Sequence, residues 1–283
     1  MRVGVLTGSG TYSLPGFEAA AVLVSTPFGD VEVSEGRWAG AEVVHIARHG
    51  AGHARLSNTV NHRANVWALR ERGASCVIGL TACGAVDPDL ELGSVVVFDD
   101  LLFASNRLPD GGLCTFFDQI GDPQRGHWVL HGGPYSEQLI AVLTTAALDA
   151  GLTFQAGGVY GHVDGPRFNT PVEIAQLSAS GVSAVSQTGG PETVLCGELE
   201  LPFALVGFIT DYANEVVPGE PTPVTRLFEL VAESSAAFAS LLREVLPRIV
   251  ALDPPPAAAG TVVRFASAGA AGGASSSDCP EGE

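Results

Sequence analysis

Positive charge is scarce in this chain. Fourteen Lys and Arg stand against 31 Asp and Glu, a formal net charge of −17. That argues against nucleic acid as a partner, because binding a phosphate backbone needs basic surface. It leaves room for a small anionic substrate, since a few groups in a cleft can reverse the local field. Long apolar runs are missing too: none reaches the length of a membrane span. The opening Met1-Arg2-Val3-Gly4-Val5-Leu6 is too short, and too soon followed by glycine, for a secretory leader, and is expected to be a buried first strand. The cysteines, at 76, 83, 114, 196 and 279, lack paired spacing. An odd number without a leader suits reduced thiols in a cytoplasm, with Cys76, Cys83 and Cys196 as small core residues. There is no HExxH and no Cys/His cluster. His49 and His53 are four apart, but Gly50 and Gly52 disfavour a helix that would present them as a metal pair, so no metal is expected.

What is present is an apolar fraction of 46% with only 16% charged residues, which makes a globular chain. Apolar, β-branched runs recur at Val3–Leu6, Val43–Ala47, Cys76–Leu80, Val95–Phe98, Val182–Val185 and Ala204–Ile209. Helical periodicity falls between them at Asn61–Arg72, Glu137–Ala150, Pro171–Ser180 and Pro223–Leu246. Alternating strands and helices predict an α/β fold with a parallel or mixed sheet, and the helix-free stretch from Val22 to Val44 predicts some antiparallel pairing. No linker or repeat interrupts residues 1–248, which are expected to form one catalytic domain. From 249 to 283 the chain becomes rich in Pro, Ala, Gly and Ser; this part is expected to be a disordered tail, with a short ordered piece conceivable around Val262–Phe265.

The chemistry is concentrated in four short polar segments, most of them at the end of an apolar run: Gly8-Ser9-Gly10, Arg48-His49-Gly50, Thr81-Ala82-Cys83-Gly84 and Gln187-Thr188-Gly189-Gly190. Hydroxyls, a guanidinium and backbone N–H groups placed just past strands are how an α/β fold assembles an anion site. Each segment alone has a plainer reading. Gly8-Ser9-Gly10 could be an ordinary strand-to-loop turn. It does not complete a dinucleotide fingerprint, because Ser13 stands where that needs glycine. Arg48, directly after a buried strand, needs an anion, either a ligand or one of the chain's own carboxylates. Asp211, after the run ending at Ile209, could cap a helix or serve as a site acid.

Taken in order, these segments resemble the trimeric purine nucleoside phosphorylase family, and within it the methylthioadenosine phosphorylases. The resemblance spans about residues 1–248. It is carried by Gly8-Ser9-Gly10, Ala47-Arg48-His49-Gly50, Asn61 to Leu69, Thr81-Ala82-Cys83-Gly84, Gly165-Pro166-Arg167-Phe168, Pro191-Glu192 and Thr210-Asp211-Tyr212. It implies a single-domain mixed β-sheet flanked by helices, a homotrimer, no cofactor, and inorganic phosphate as co-substrate. By the same resemblance, Ser9, Arg48, His49, Thr81, Ala82 and Thr188 are expected to hold phosphate. Phe168, Asn169 and Asp211 would meet the purine, with Asp211 catalytic, and Gln187 would lie under the ribose. Val224, Leu227 and Phe228 would line the 5′ pocket, and a neighbouring subunit would reach it through His127, Trp128 or His131.

The expected reaction is phosphorolysis of a 5′-modified adenine nucleoside, such as 5′-methylthioadenosine or a 5′-deoxy or 5′-halo adenosine. The alternatives are a 6-oxopurine nucleoside phosphorylase, a nucleoside hydrolase and a non-catalytic nucleoside binder. Family members acting on 6-oxopurines resemble one another in an asparagine where this chain has Asp211. A carboxyl group can accept from a 6-amino group and, protonated, donate to N7. An apolar Val224, where a histidine serves 5′-hydroxyl substrates, favours a substrate without that hydroxyl, since a buried unpaired hydroxyl costs roughly 1–3 kcal/mol. The chain departs from the family's usual residues at Gln187 (methionine elsewhere), Ala213 (a second aspartate in adenosine-type enzymes), Asn169 (a small hydroxyl residue) and Phe228 (an aliphatic residue).

Overall fold

The computed structural model describes residues 1–217 and 222–264. Its first half lays down β1 (Arg2–Thr7), β2 (Ala20–Thr26), β3 (Gly29–Trp38), β4 (Ala41–Ala47), α1 (His62–Glu71), β5 (Cys76–Ala85), β6 (Val95–Val97), β7 (Asp100–Leu102) and β8 (Gly126–Val129). There follow α2 (Glu137–Asp149), β9 (Phe154–Ala156), β10 (Val159–His162), α3 (Pro171–Ala179), β11 (Val182–Ser186), α4 (Gly189–Glu198), β12 (Phe203–Tyr212), α5 (Val224–Val250) and β13 (Thr261–Arg264). The expected mixed α/β sheet is present. Its spine runs β2-β3-β4-β1-β5-β11-β10-β7, with β12 joining β5 to β6 and β6 to β9. The β2–β3–β4 pairings are antiparallel, as the helix-free stretch suggests.

Strand β5 is the pivot. Its first half pairs with β1 in parallel, Val3 to Leu6 against Cys76 to Gly79. Its last residues pair instead with antiparallel β11, Ala184 against Ala85 and Val185 against Gly84. Along its other edge lies parallel β12. The sheet therefore forks after Gly79, and the neighbours on that edge of β5 part beside Thr81. A fork at strand ends is where an open α/β sheet leaves a crevice.

Helices cover both faces. Ala64, Val66 and Leu69 of α1, with Leu195 and Cys196 of α4, belong to one buried cluster. Leu139 and Leu143 of α2, with Phe238, Leu241, Leu242 and Val245 of α5, belong to the other. In α5 the buried positions Leu230, Ser234, Phe238, Leu241, Leu242, Val245 and Ile249 recur at helical spacing, and the helix follows that stripe. Each fully buried Leu contributes about 1.5–3 kcal/mol. Helix α3 starts where Thr170 and Glu173 form a capping box and Pro171 opens the first turn. Cys76, Cys83, Cys114 and Cys196 are free and buried, and burial pushes the Cys76 thiol up to about 12. Among the described residues no helix is long and apolar enough to cross a membrane.

At the C-terminal end, the 248/249 boundary falls inside α5, which runs to Val250. Residues 261–264 form β13, which pairs antiparallel with β8, and Trp128 Nε1 donates to Ala259 O at 2.8 Å. The stretch from 253 to 264 is thus part of the folded body. Phe265 and the rest of the expected tail lie outside the described residues.

Candidate active site

A cavity of about 580 Å³ opens at the fork. Eleven sequence-predicted residues line it together: Ser9, His49, Thr81, Ala82, Phe168, Asn169, Gln187, Thr188, Asp211, Leu227 and Phe228. Arg48 and Val224 are not among its lining residues.

One end is polar and buried. Ser9 stands in the turn after β1, where Thr11 N–H bonds Gly8 O at 3.2 Å. Gly10 has φ +79 and presses on Val231 of α5, leaving no room for a Cβ. Thr81 Oγ1 lies 3.2 Å from Ser186 Oγ across the β5–β11 pairing. Thr188 precedes α4, but its hydroxyl makes no cap bond. The buried Tyr160 hydroxyl takes that place, accepting from the N–H groups of Thr188 and Gly189 at 3.4 and 3.0 Å. Thr81 and Thr188 are both buried.

His49 is fixed by its surroundings. Its Nδ1 is 2.9 Å from Arg55 O, and its ring stacks on His53 with centroids 4.4 Å apart and planes at 14°. His53 Nδ1 in turn meets the Tyr12 hydroxyl at 2.9 Å. Burial, with the Arg48 charge adding to it, lowers the His49 pKa to about 4, so the ring is neutral near pH 7.

Arg48 departs from the expectation of a direct anion ligand. Its side chain is fully buried, and Nε and Nη2 grip Glu192 at 2.6 and 2.9 Å. Nη1 donates to Leu80 O at 2.7 Å and Nη2 also to Leu6 O at 3.3 Å. The anion this buried arginine needs is therefore internal, and the bond network ties the end of β1 and the middle of β5 to α4. The guanidinium lies against the Gly8 backbone, 2.7 Å from where a Cβ would sit, so its charge remains close to the Ser9 turn. Burial alone would raise the Glu192 carboxyl; Arg48 and then His62 hold it below its ordinary range.

The opposite end is more open. Asp211 sits at an irregularity in the β12–β5 pairing, across from Gly84. A Cβ at 84 would come within 3.2 Å of Asp211 Oδ2, so that glycine makes the seat for the carboxyl. Burial raises the Asp211 pKa, opposed by the Thr210 hydroxyl that donates to Oδ1 at 2.8 Å. Gln187 lines the cavity with its amide engaged at both ends: Ser57 Oγ donates to Oε1 at 2.7 Å, and Nε2 donates to Arg167 O at 2.9 Å. Gly165 leaves room for this clasp, since a Cβ there would collide with both Gln187 and Ser57. Phe168 and Phe228 are 66% and 67% exposed at the rim. Val224, on the first turn of α5, is equally exposed and is not among the lining residues. Of the residues expected to reach a neighbour, Trp128 packs on Gly197 of its own chain, and none of His127, Trp128 and His131 lines this chain's cavity.

Tyr12, His53, Ser57, Ser186 and Asn214 also line the cavity. Sequence reasoning passed over them. His53 carried a signal in its spacing from His49, and the short turn at Ala51–His53, with Gly52 at φ 65, stacks the two rings rather than aiming them at a metal.

The family model described as the phosphorylase superfamily matches residues 2–251. The chain is 32% identical over 251 residues to the 6-oxopurine nucleoside phosphorylase of Pyrococcus furiosus, covering 88% of this chain and 93% of that one. It is 34% identical over 251 residues to the S-methyl-5′-thioadenosine phosphorylase of Mycobacterium tuberculosis, covering 87% and 89%. A solved methylthioadenosine phosphorylase from Schistosoma mansoni, in complex with adenine, superposes with a TM-score of 0.80 at 28% identity, covering 89% of this chain and 92% of that one. The chain belongs to the phosphorylase superfamily.

Proposed function

We propose that the protein catalyses phosphorolysis of a purine nucleoside, and that its substrate is an adenine nucleoside modified at the 5′ position. The observation that carries this reading is the pairing, in one cavity, of a largely buried cluster of hydroxyl and imidazole groups with a half-buried carboxyl at the other end. The first group suits phosphate and the second a purine. Phosphate would be held by Ser9, His49, Thr81, Thr188 and the Ala82 backbone, with Arg48 supporting them from behind. The phosphate oxygen attacks the anomeric carbon as the bond to the purine nitrogen breaks. Positive charge that develops on the sugar is stabilised by the anion beneath it, so the gain is positioning and electrostatics. The departing purine needs a proton at N7, and Asp211, whose pKa burial raises, is the candidate donor.

Phe168 supports the base and Gln187 the sugar, with Leu227 and Phe228 around the 5′ group. The exposed Leu56, Phe168 and Phe228 form an apolar rim that suits a neighbouring subunit, in line with the expected homotrimer. A second reading, a 6-oxopurine substrate, is favoured by Asn169 and Asn214, whose amides could donate to a 6-carbonyl, and by the absence of a second carboxylate at Ala213. The test is a turnover panel at saturating phosphate, crossing adenine and hypoxanthine with 5′-methylthio, 5′-deoxy, 5′-halo and 5′-hydroxyl sugars. The proposal expects kcat/KM to be highest for adenine with a 5′-modified sugar. A preference for hypoxanthine throughout would select the second reading.

A further inference from the structure

Gln187 stands between the two ends of the cavity. Its neighbours in the chain, Ser186 and Thr188, belong to the polar end, where Ser186 Oγ meets Thr81 Oγ1. Its amide reaches across to the carbonyl of Arg167, the residue before Phe168 at the rim. The sense of that amide is fixed. A carbonyl oxygen only accepts, so the 2.9 Å contact with Arg167 O puts Nε2 there, while Ser57 Oγ donates to Oε1 at 2.7 Å. Turning the amide over would set Oε1 against the Arg167 carbonyl, acceptor against acceptor. Both anchors are themselves held. The Arg167 side chain pairs with Glu173 of α3 through two bonds, at 2.8 and 2.6 Å, and Ser57 is buried at the start of the short turn Ser57–Thr59. An amide offers two N–H hydrogens and two carbonyl lone pairs. One of each is engaged in this clasp, and among the described residues the other N–H and the other lone pair meet no partner.

We infer that the clasped amide of Gln187 selects ribonucleosides by pairing with two adjacent sugar hydroxyls, and that Ser57 is the positioning residue that gives it this selectivity. A donor and an acceptor held side by side match the 2′- and 3′-hydroxyls of a ribose, one accepting from Nε2 and the other donating to Oε1. A 2′-deoxy or 3′-deoxy sugar leaves one side of the held amide without its partner, and a site built to bond a hydroxyl rejects the analogue that lacks it. A loose glutamine would escape that penalty by rotating its amide toward whatever partner remains. Ser57 and the Arg167 carbonyl prevent this, and Gly165 keeps the space for their clasp. A second hollow of about 210 Å³ shares Ser57 and Gln187 with the main cavity, so water there is the competitor for the free N–H and lone pair. This inference rests on the proposed phosphorolysis, since it concerns the sugar of that reaction.

The experiment measures kcat and KM at saturating phosphate for the base and 5′ group that the turnover panel favours, carried on ribose, 2′-deoxyribose and 3′-deoxyribose. It compares the wild type with Gln187→Met and Ser57→Ala. The wild type should disfavour each deoxy sugar roughly 10- to 100-fold in kcat/KM, the effect of leaving a held polar group unpaired. Gln187→Met keeps the length of the side chain without the amide, so the preference for ribose should shrink to a few-fold. Ser57→Ala frees the amide to rotate and should shrink the same preference, chiefly by raising KM for the ribose substrate. A serine that only supports the fold would lower turnover of all three sugars alike and leave their ratio unchanged, which would remove Ser57 as the positioning residue. Equal turnover of the three sugars by the wild type, or an unchanged ratio in Gln187→Met, overturns the inference and leaves phosphorolysis standing. Absence of phosphate-dependent turnover with every sugar overturns both.

Discussion

At the polar end of the cavity Thr81, Thr188 and His49 are buried, and each is held by backbone or by a neighbouring side chain. At the other end Phe168 and Phe228 stand two-thirds exposed, on a loop and on the first turns of α5. The first region is assembled from strand ends and a helix start that the core holds in place. The second hangs on the edge of the fold. The anion end is thus preorganised by the same contacts that stabilise the protein, whereas the base and 5′ end can change residue by residue at little cost to folding. All four departures from the family's usual residues, at Asn169, Gln187, Ala213 and Phe228, line the open part of the cavity or its wall.

The sharpest way to break this contrast is at the ion pair behind the anion end. Arg48→Ala leaves the Glu192 carboxylate buried and uncompensated, which should cost about 3–5 kcal/mol in urea unfolding. Direct loss of a phosphate ligand with unchanged stability would contradict the internal pairing. The pH dependence has a definite sign. The Glu192 carboxyl titrates lower in the folded state than its ordinary 4.5, so its contribution is present above that value and is lost as pH falls toward the folded pKa. In Glu192→Gln that part of the acid sensitivity should disappear.

Next in size is Asp211→Asn. Turnover of adenine nucleosides should fall roughly 10²-fold, the usual range for a lost general acid, and hypoxanthine nucleosides should lose less. Equal losses for both bases would remove Asp211 as the base selector.

A smaller effect is expected from stopping the chain at Leu252. That removes β13, the bond from Trp128 to Ala259, and the buried Val262, worth about 1.5–3 kcal/mol for that side chain. Denaturant midpoints of the full and shortened chains measure it, and an unchanged midpoint would mean β13 contributes nothing. The smallest is Val224→Ala, which should leave kcat/KM within about twofold because the side chain is exposed and away from the lining.

The sequence announced what depends on neighbours along the chain. Buried β-branched runs showed β1, β4, β5, β11 and β12, and Asn61 and Pro171 marked the starts of α1 and α3. Helix α4 gave no such mark, since it opens on Gly189-Gly190-Pro191, residues of poor helical propensity. It holds because it is buried nearly throughout and because Tyr160 and His162, from β10, meet its first N–H groups. The partner of Arg48 was equally out of sight: Glu192 is 144 residues away, and their meeting is a product of the β1–β5 fork. Ser9, His49, Thr81, Ala82, Gln187, Thr188 and Asp211 stood out in polar segments after apolar runs, and Phe168, Asn169, Leu227 and Phe228 came only with the family resemblance, while the Tyr12–His53–His49 stack depends on a turn whose geometry no periodicity foretells.

The most direct test of the account is the phosphate requirement. The purified protein is incubated with 5′-methylthioadenosine, with and without inorganic phosphate, and both the free base and the sugar product are quantified. The account predicts adenine release that depends on phosphate and a sugar recovered as its 1-phosphate in equal amount. Release at the same rate without phosphate, with a free sugar as product, would contradict it.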